Sequence, residues 1–94
     1  IYFWQEYCPA CRKLEQSTFP DPAVVEASKE LICVKFDGTD SKAPEVAEVL
    51  ERYDIQGFPT IVFVTPGGEL LPELTLVGYG GPGRLSSLMR RASR

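Results

Sequence analysis

The chain alternates short apolar runs with stretches whose apolar positions recur at helical spacing. Residues 1–5 (IYFWQ) are apolar on both faces of an extended chain and predict a strand covered on both sides. Cys8 to Gln16 predicts a helix, with Pro9 tolerated in its first turn. Phe19-Pro20-Asp21-Pro22 breaks it. Asp21 as cap and Pro22 as first residue then start a second helix, running to about Lys29. Leu31 to Phe36 (LICVKF) predicts a second buried strand. After the loop Asp37-Gly38-Thr39-Asp40, a third helix capped by Asp40 or Ser41 runs to about Tyr53, with Val46, Val49 and Leu50 on one face. Gly57-Phe58-Pro59 leads into a third strand, Thr60 to Val64. Thr65-Pro66-Gly67-Gly68 is a hairpin turn signal, Leu74 to Tyr79 a fourth strand and Arg84 to Arg91 a last helix.

The predicted order is β-α-α-β-α-β-β-α, an α/β class. Helical crossovers join the first three strands, so the crossover rule makes them parallel. The last two form an antiparallel hairpin. Helices must cover both faces, because the strands are apolar on both. No repeat, linker or low-complexity segment divides residues 1–94, which predict a single domain.

Composition adds exclusions. Ten Lys+Arg against thirteen Asp+Glu give a net charge of −3, which argues against a nucleic-acid partner needing a basic stripe. Arg90, Arg91 and Arg94 suit the C-terminal end of a helix dipole instead. No run approaches the roughly 18 apolar residues of a membrane span. The chain opens on an apolar strand-like run with no leader, so it is expected to be excised from a longer parent. An anchor or export signal would then lie upstream. A monomer is expected.

Cysteine usage carries the chemistry. There are three cysteines and no histidine. Two of the cysteines, Cys8 and Cys11, stand three apart in Tyr7-Cys8-Pro9-Ala10-Cys11. Structural zinc wants four Cys or His ligands, and here only Cys33 remains to join the pair, so no metal is expected. A chance pairing is the other plain reading. The position favours redox chemistry: the pair follows an apolar strand and opens a helix. Three residues along a helix separate Cα atoms by about 5–6 Å, within disulfide range. Cys8 lies at the helix N-terminus, where unpaired N–H groups and the dipole favour a thiolate, the attacking species. Cys8 is therefore assigned as nucleophile and Cys11 as resolving thiol. Cys33, inside an apolar run, is expected to be a buried small hydrophobe.

Trp4 to Lys13 (WQEYCPACRK) resembles the active-site segment of thioredoxin-fold proteins, and Gly57-Phe58-Pro59-Thr60 resembles their second signature, a cis-proline turn. The resemblance spans essentially the whole chain. More narrowly, Cys11 to Glu15 (CRKLE) followed by Thr18 to Pro22 (TFPDP) is similar to the C-terminal periplasmic domains of the DsbD family of thiol:disulfide interchange proteins. The resemblance implies a mixed four-stranded sheet, with two crossover-linked parallel strands plus the C-terminal antiparallel hairpin. The family's frequent extra N-terminal strand and helix are absent from these residues. It also implies a disulfide reductase or electron relay, passing two electrons from an upstream thiol donor to protein disulfides. The donor could be a membrane domain of the same parent chain. A thiol oxidase or isomerase, and a non-catalytic binding module, are the alternatives. No cofactor is called for, because the cysteines carry the electrons. Periplasmic or other extracytoplasmic location comes from the resemblance only, and the residues also allow a cytoplasmic one.

By the same resemblance, Tyr7, Pro9, Phe58 and Pro59 are substrate-binding positions, with the Pro59 loop offering backbone groups to an extended segment. Glu15 lies four residues after Cys11 and seven after Cys8, on the same helix face, and matches an acid of the DsbD domain. It is assigned to proton transfer at Cys11. Trp4 is read as support beneath the site. The chain departs from the family at Tyr2, where a buried acid is usual. Either Glu15 works alone, or the Tyr2 hydroxyl assists, or resolution is slower. Oxidising relatives often place a histidine between the cysteines to stabilise the thiolate, and here the pair is Pro9-Ala10. A potential nearer about −270 mV than about −120 mV is expected.

Overall fold

The computed structural model describes all 94 residues. Strand β1 is Tyr2–Trp4, and helix α1 is Pro9–Lys13. The helix continues through one widened π turn, Leu14–Thr18, closed by the Phe19 N–H donating to the Leu14 carbonyl at 2.9 Å. Leu14 and Thr18, four residues apart, are both fully buried, and that pair holds the wide turn against the body. Helix α2 is Pro22–Ser28, begun as the sequence predicts: Asp21 Oδ1 accepts from the Ala23 N–H at 2.9 Å. Then follow β2 (Lys35–Asp37), α3 (Pro44–Arg52), β3 (Thr60–Ile61), a 3₁₀ turn at Pro72–Leu74, β4 (Leu76–Val77) and α4 (Pro82–Ala92).

The sheet order is β2-β1-β3-β4. Strands β1 and β2 are parallel, with Tyr2 opposite Lys35 and Trp4 opposite Asp37. Strand β3 runs antiparallel to β1, Phe3 facing Thr60, and β4 antiparallel to β3. Period-two alternation sends β1 side chains to both layers. Tyr2 meets Phe19 edge-on, with ring centroids 4.9 Å apart, and joins a core with Cys11, Leu14, Val24, Leu85 and Met89. Phe3, fully buried, faces the other way, toward Phe36 and Tyr53 at 5.4 and 5.6 Å. Helices α2 and α4 pack together on the first face, and α3 ends at Tyr53 on the second. No helix is long and apolar enough to cross a membrane.

Four expectations are corrected. The first three strands are not all parallel, since β3 is reversed. Nine residues of α3 span only about 13 Å, and the seven residues after it can reach some 23 Å, so the chain can enter the sheet from either end. The run Leu31–Phe36 is not a buried strand. Its ladder is Lys35–Asp37 at the sheet's edge, and Ile32 is 93% exposed. Cys33 is exposed, not buried. An apolar run does not say whether its strand has one neighbour or two, and β2 has one. Finally, Asp40 and Ser41 do not cap α3. Pro44 sets its start, and Ala43 before it is extended, as a residue preceding proline must be.

Candidate functional site

Cys8 caps helix α1. Its backbone is extended, with φ −112° and ψ 97°, and its Sγ accepts the Cys11 N–H at 3.1 Å. Pro9 occupies the first helical position, where a missing N–H costs nothing. Cys8 and Cys11 are joined as a disulfide, with Cα atoms 5.2 Å apart. Both are covered, at 6% and 1% exposure, and Cys11 is the deeper. A thiolate at Cys8 would inherit the N–H that its sulfur now receives, which lowers the cost of its charge. No comparable donor reaches Cys11 Sγ.

The approach to Cys8 is fixed from outside the helix. Tyr7 adopts φ +61°, a left-handed conformation that few non-glycine residues take, and the residue is 81% exposed. The preceding Glu6 N–H donates to Thr39 Oγ1 at 2.8 Å. Thr39 in turn donates its own N–H to Asp37 Oδ1 at 2.9 Å, and its hydroxyl to the same oxygen. The hydroxyl's bond, the N–H bond and the nearby Lys35 charge hold the Asp37 carboxyl below the usual range. A strut from β2 therefore holds the turn that presents Tyr7 and Cys8.

The Phe58–Pro59 peptide is cis, as the sequence signature implies. Pro59 is fully buried, and its carbonyl accepts the Gly78 N–H at 2.8 Å. It immediately precedes Thr60, which pairs with Phe3 on β1, the strand that leads to Cys8. Phe58 packs against the core cluster that contains both cysteines, and its ring lies over Gly38. Phe58 thus packs on the same core as Cys8 and Cys11, Pro59 is buried beside it in sequence, and Pro9 and Tyr7 are exposed.

Glu15 is the first glutamate beyond the cysteines, and it is neither buried nor free. Its Oε2 accepts the Tyr2 hydroxyl at 2.8 Å, and its Oε1 lies 3.5 Å from Lys35 Nζ. Burial first, then the hydrogen bond to Glu15 and its charge, push the Tyr2 phenol well above the ordinary tyrosine value. Trp4 lies under this group, with Lys35 Nζ 4.5 Å from its ring centre. Sequence reasoning missed Lys35, Thr39 and Gly38. Lys35 carried a signal, as the lone charge in an apolar run. Thr39 and Gly38 carried none beyond a loop composition.

A family model for the thioredoxin-like domain matches residues 1–93. The chain belongs to that family. This thioredoxin-like domain is 30% identical over 91 residues to thiol:disulfide interchange protein DsbD 1 of Pseudomonas aeruginosa, covering 97% of the chain and 15% of that protein. It is 31% identical over 77 residues to DsbD of Salmonella choleraesuis, covering 82% of the chain and 13% of that protein. The chain therefore spans about one-seventh of the length of these relatives. Among solved structures, the reduced C-terminal domain of Neisseria meningitidis DsbD superposes with a TM-score of 0.83 at 21% identity, over 97% of this chain and 76% of that one. A thioredoxin from Thermus thermophilus superposes at 0.70 with 27% identity, over 96% of this chain and 68% of that one. The fold is the thioredoxin fold. A thioredoxin-like domain with a disulfide at the start of its first helix has the machinery of a thiol–disulfide oxidoreductase.

Proposed function

We propose that this domain is a disulfide reductase and electron relay, which passes two electrons through the Cys8–Cys11 dithiol to the disulfides of other proteins. The observation that carries the reading is the Cys11 N–H on Cys8 Sγ, with the intervening pair Pro9-Ala10 supplying neither a cation nor an imidazole. In the reaction, the Cys8 thiolate attacks one sulfur of a substrate disulfide, forms a mixed disulfide and releases one substrate thiolate. Cys11 loses its proton, attacks Cys8 Sγ and releases the second. The domain is left as the disulfide, and the substrate gains two electrons and two protons. Glu15 serves as the base for Cys11. Tyr7, Pro9, Phe58 and the Pro59 loop form the surface on which an extended substrate segment lies. An upstream thiol donor, such as another domain of a DsbD-like parent, would re-reduce the pair in an extracytoplasmic compartment.

The test is the reduction potential of the pair, by equilibration in defined thiol buffers and trapping. A value near or below about −220 mV is expected. A value between about −180 and −120 mV would make the domain an oxidase or isomerase instead.

A further inference from the structure

The Tyr2 hydroxyl reaches two acceptors with one hydrogen. Glu15 Oε2 is 2.8 Å away, and the carbonyl oxygen of Cys11 is 3.4 Å away. The shorter bond is the occupied one, by ordinary O–H···O geometry, and the longer is its alternative. Tyr2 is 8% exposed, which limits the water its hydroxyl can reach in place of these partners. Its neighbours limit what it can do. Lys35 of β2 holds the other carboxylate oxygen of Glu15 and lies 6.0 Å from the Tyr2 ring centre. On α1 itself, Arg12 and Lys13 are exposed, and Lys13 Nζ stands over the Tyr79 ring. Cys8 and Cys11 complete the titratable groups at this helix start; β2 also carries Asp37, held by Thr39, the Ile1 amino group is held by the Val62 carbonyl, and Glu26 of α2 and Arg84, Arg90 and Arg91 of α4 are exposed.

We propose that Tyr2 is a positioning residue for the resolving step, holding Glu15 against the Cys11 turn and turning its hydroxyl from Glu15 to the Cys11 carbonyl when Glu15 takes up the Cys11 proton. This rests on the relay reading and adds the device that links the carboxylate to the thiol's own helix turn. Before resolution, Glu15 is a carboxylate and accepts from Tyr2 on Oε2 and from Lys35 on Oε1. During resolution, the Cys11 proton passes to Glu15, the Cys11 sulfur bonds to Cys8 Sγ, and the bond from Cys8 Sγ to the partner breaks, its electron pair leaving with the partner thiolate. The protonated Glu15 no longer needs the tyrosine hydrogen. That hydrogen then serves the Cys11 carbonyl until Glu15 returns its proton to the departing thiolate or to water. Phenylalanine would keep the packing against Phe19 and lose both positions of the switch.

Reduced protein carrying Cys33→Ser, mixed with the aromatic disulfide 5,5′-dithiobis(2-nitrobenzoate) in a stopped-flow instrument, separates the steps. The first burst of coloured thiolate reports attack by Cys8, and the second reports resolution by Cys11. Tyr2→Phe should slow the second phase roughly tenfold near neutral pH, a fraction of what a general base contributes, and change its pH profile. The same substitution in a Glu15→Gln background should have no further effect, because the tyrosine acts through the carboxylate. A Tyr2→Phe second phase that superimposes on the parent's, or effects of the two substitutions that simply multiply, would overturn this inference and leave the relay standing. Equal slowing of both phases would also overturn it, in favour of general loosening. A parent chain with no second phase would overturn the relay reading and this inference with it.

Discussion

Gly38 lies so close beneath Phe58 that a Cβ built on it would come within 2.5 Å of the ring's Cε1. The glycine also donates its N–H to the Trp4 carbonyl at 2.7 Å, so it cannot retreat without releasing the end of β1. The strand before Cys8 and the loop before Pro59 meet at this one residue. Gly38→Ala should therefore cost about 1–3 kcal/mol by overpacking and slow disulfide reduction as Phe58 is displaced. Gly83→Ala is the control of opposite sign. Nothing lies within 4 Å of its Cβ in helix α4, and it should stabilise by about 0.5–1 kcal/mol. Urea titrations of the two variants measure the contrast.

The Thr39 strut gives a second prediction. The Thr39 hydroxyl bond is the largest of the effects that lower the Asp37 carboxyl. Thr39→Val removes it, and the Asp37 titration followed by NMR should move up toward the ordinary carboxylate value. In the parent, Asp37 has its pKa depressed on folding, so its contribution is present above the unfolded value and is lost as pH falls through the folded one. The Glu6 amide, which the same hydroxyl accepts, should exchange with solvent faster in Thr39→Val.

Alkaline pH tests Tyr2 from a different direction. Its folded pKa is raised, by burial before the hydrogen bond and charge of Glu15. The stability tied to this group is complete below the unfolded value of about 10 and is lost as pH rises beyond it. Thermal melts from pH 9 upward should fall more steeply for the parent than for Tyr2→Phe. Parallel curves for the two would refute the assignment.

Ile32 and Leu14 look equally hydrophobic in the sequence and should behave oppositely. Ile32 is 93% exposed and Leu14 is fully buried. Ile32→Thr should change stability by no more than about 0.5 kcal/mol. Leu14→Ala should cost about 2–5 kcal/mol. Chemical denaturation of both variants decides it.

That contrast marks what the sequence could and could not carry. The positions of α1, α2 and α4, the Asp21 cap and the turn at Thr65–Gly68 follow from local chemistry, because capping oxygens, prolines and glycines act over a few residues. The cysteine pair was legible for the same reason: its spacing and its helix start lie within one turn. The reversal of β3 and the exposure of Ile32 to Lys35 were not, since both depend on which strands become neighbours. The Tyr2–Glu15–Lys35 group joins three elements through long side chains, and only Glu15 stood out beforehand, by its helical spacing from the cysteines. The wide turn at Leu14–Thr18 likewise needs the fold, since it answers to burial of both its ends.

The exposed thiol of Cys33 makes the protein its own reference for counting electrons. In the denatured chain, one thiol answers an alkylating reagent when the Cys8–Cys11 pair is closed, and three do when it is open. A sample titrated by mass after alkylation therefore reports its redox state as a ratio within each molecule, independent of concentration or recovery. The same side chain brings a hazard for storage. Two chains in an oxidising buffer can join through their Cys33 sulfurs, and that covalent pair would imitate an assembly without any surface having evolved for it.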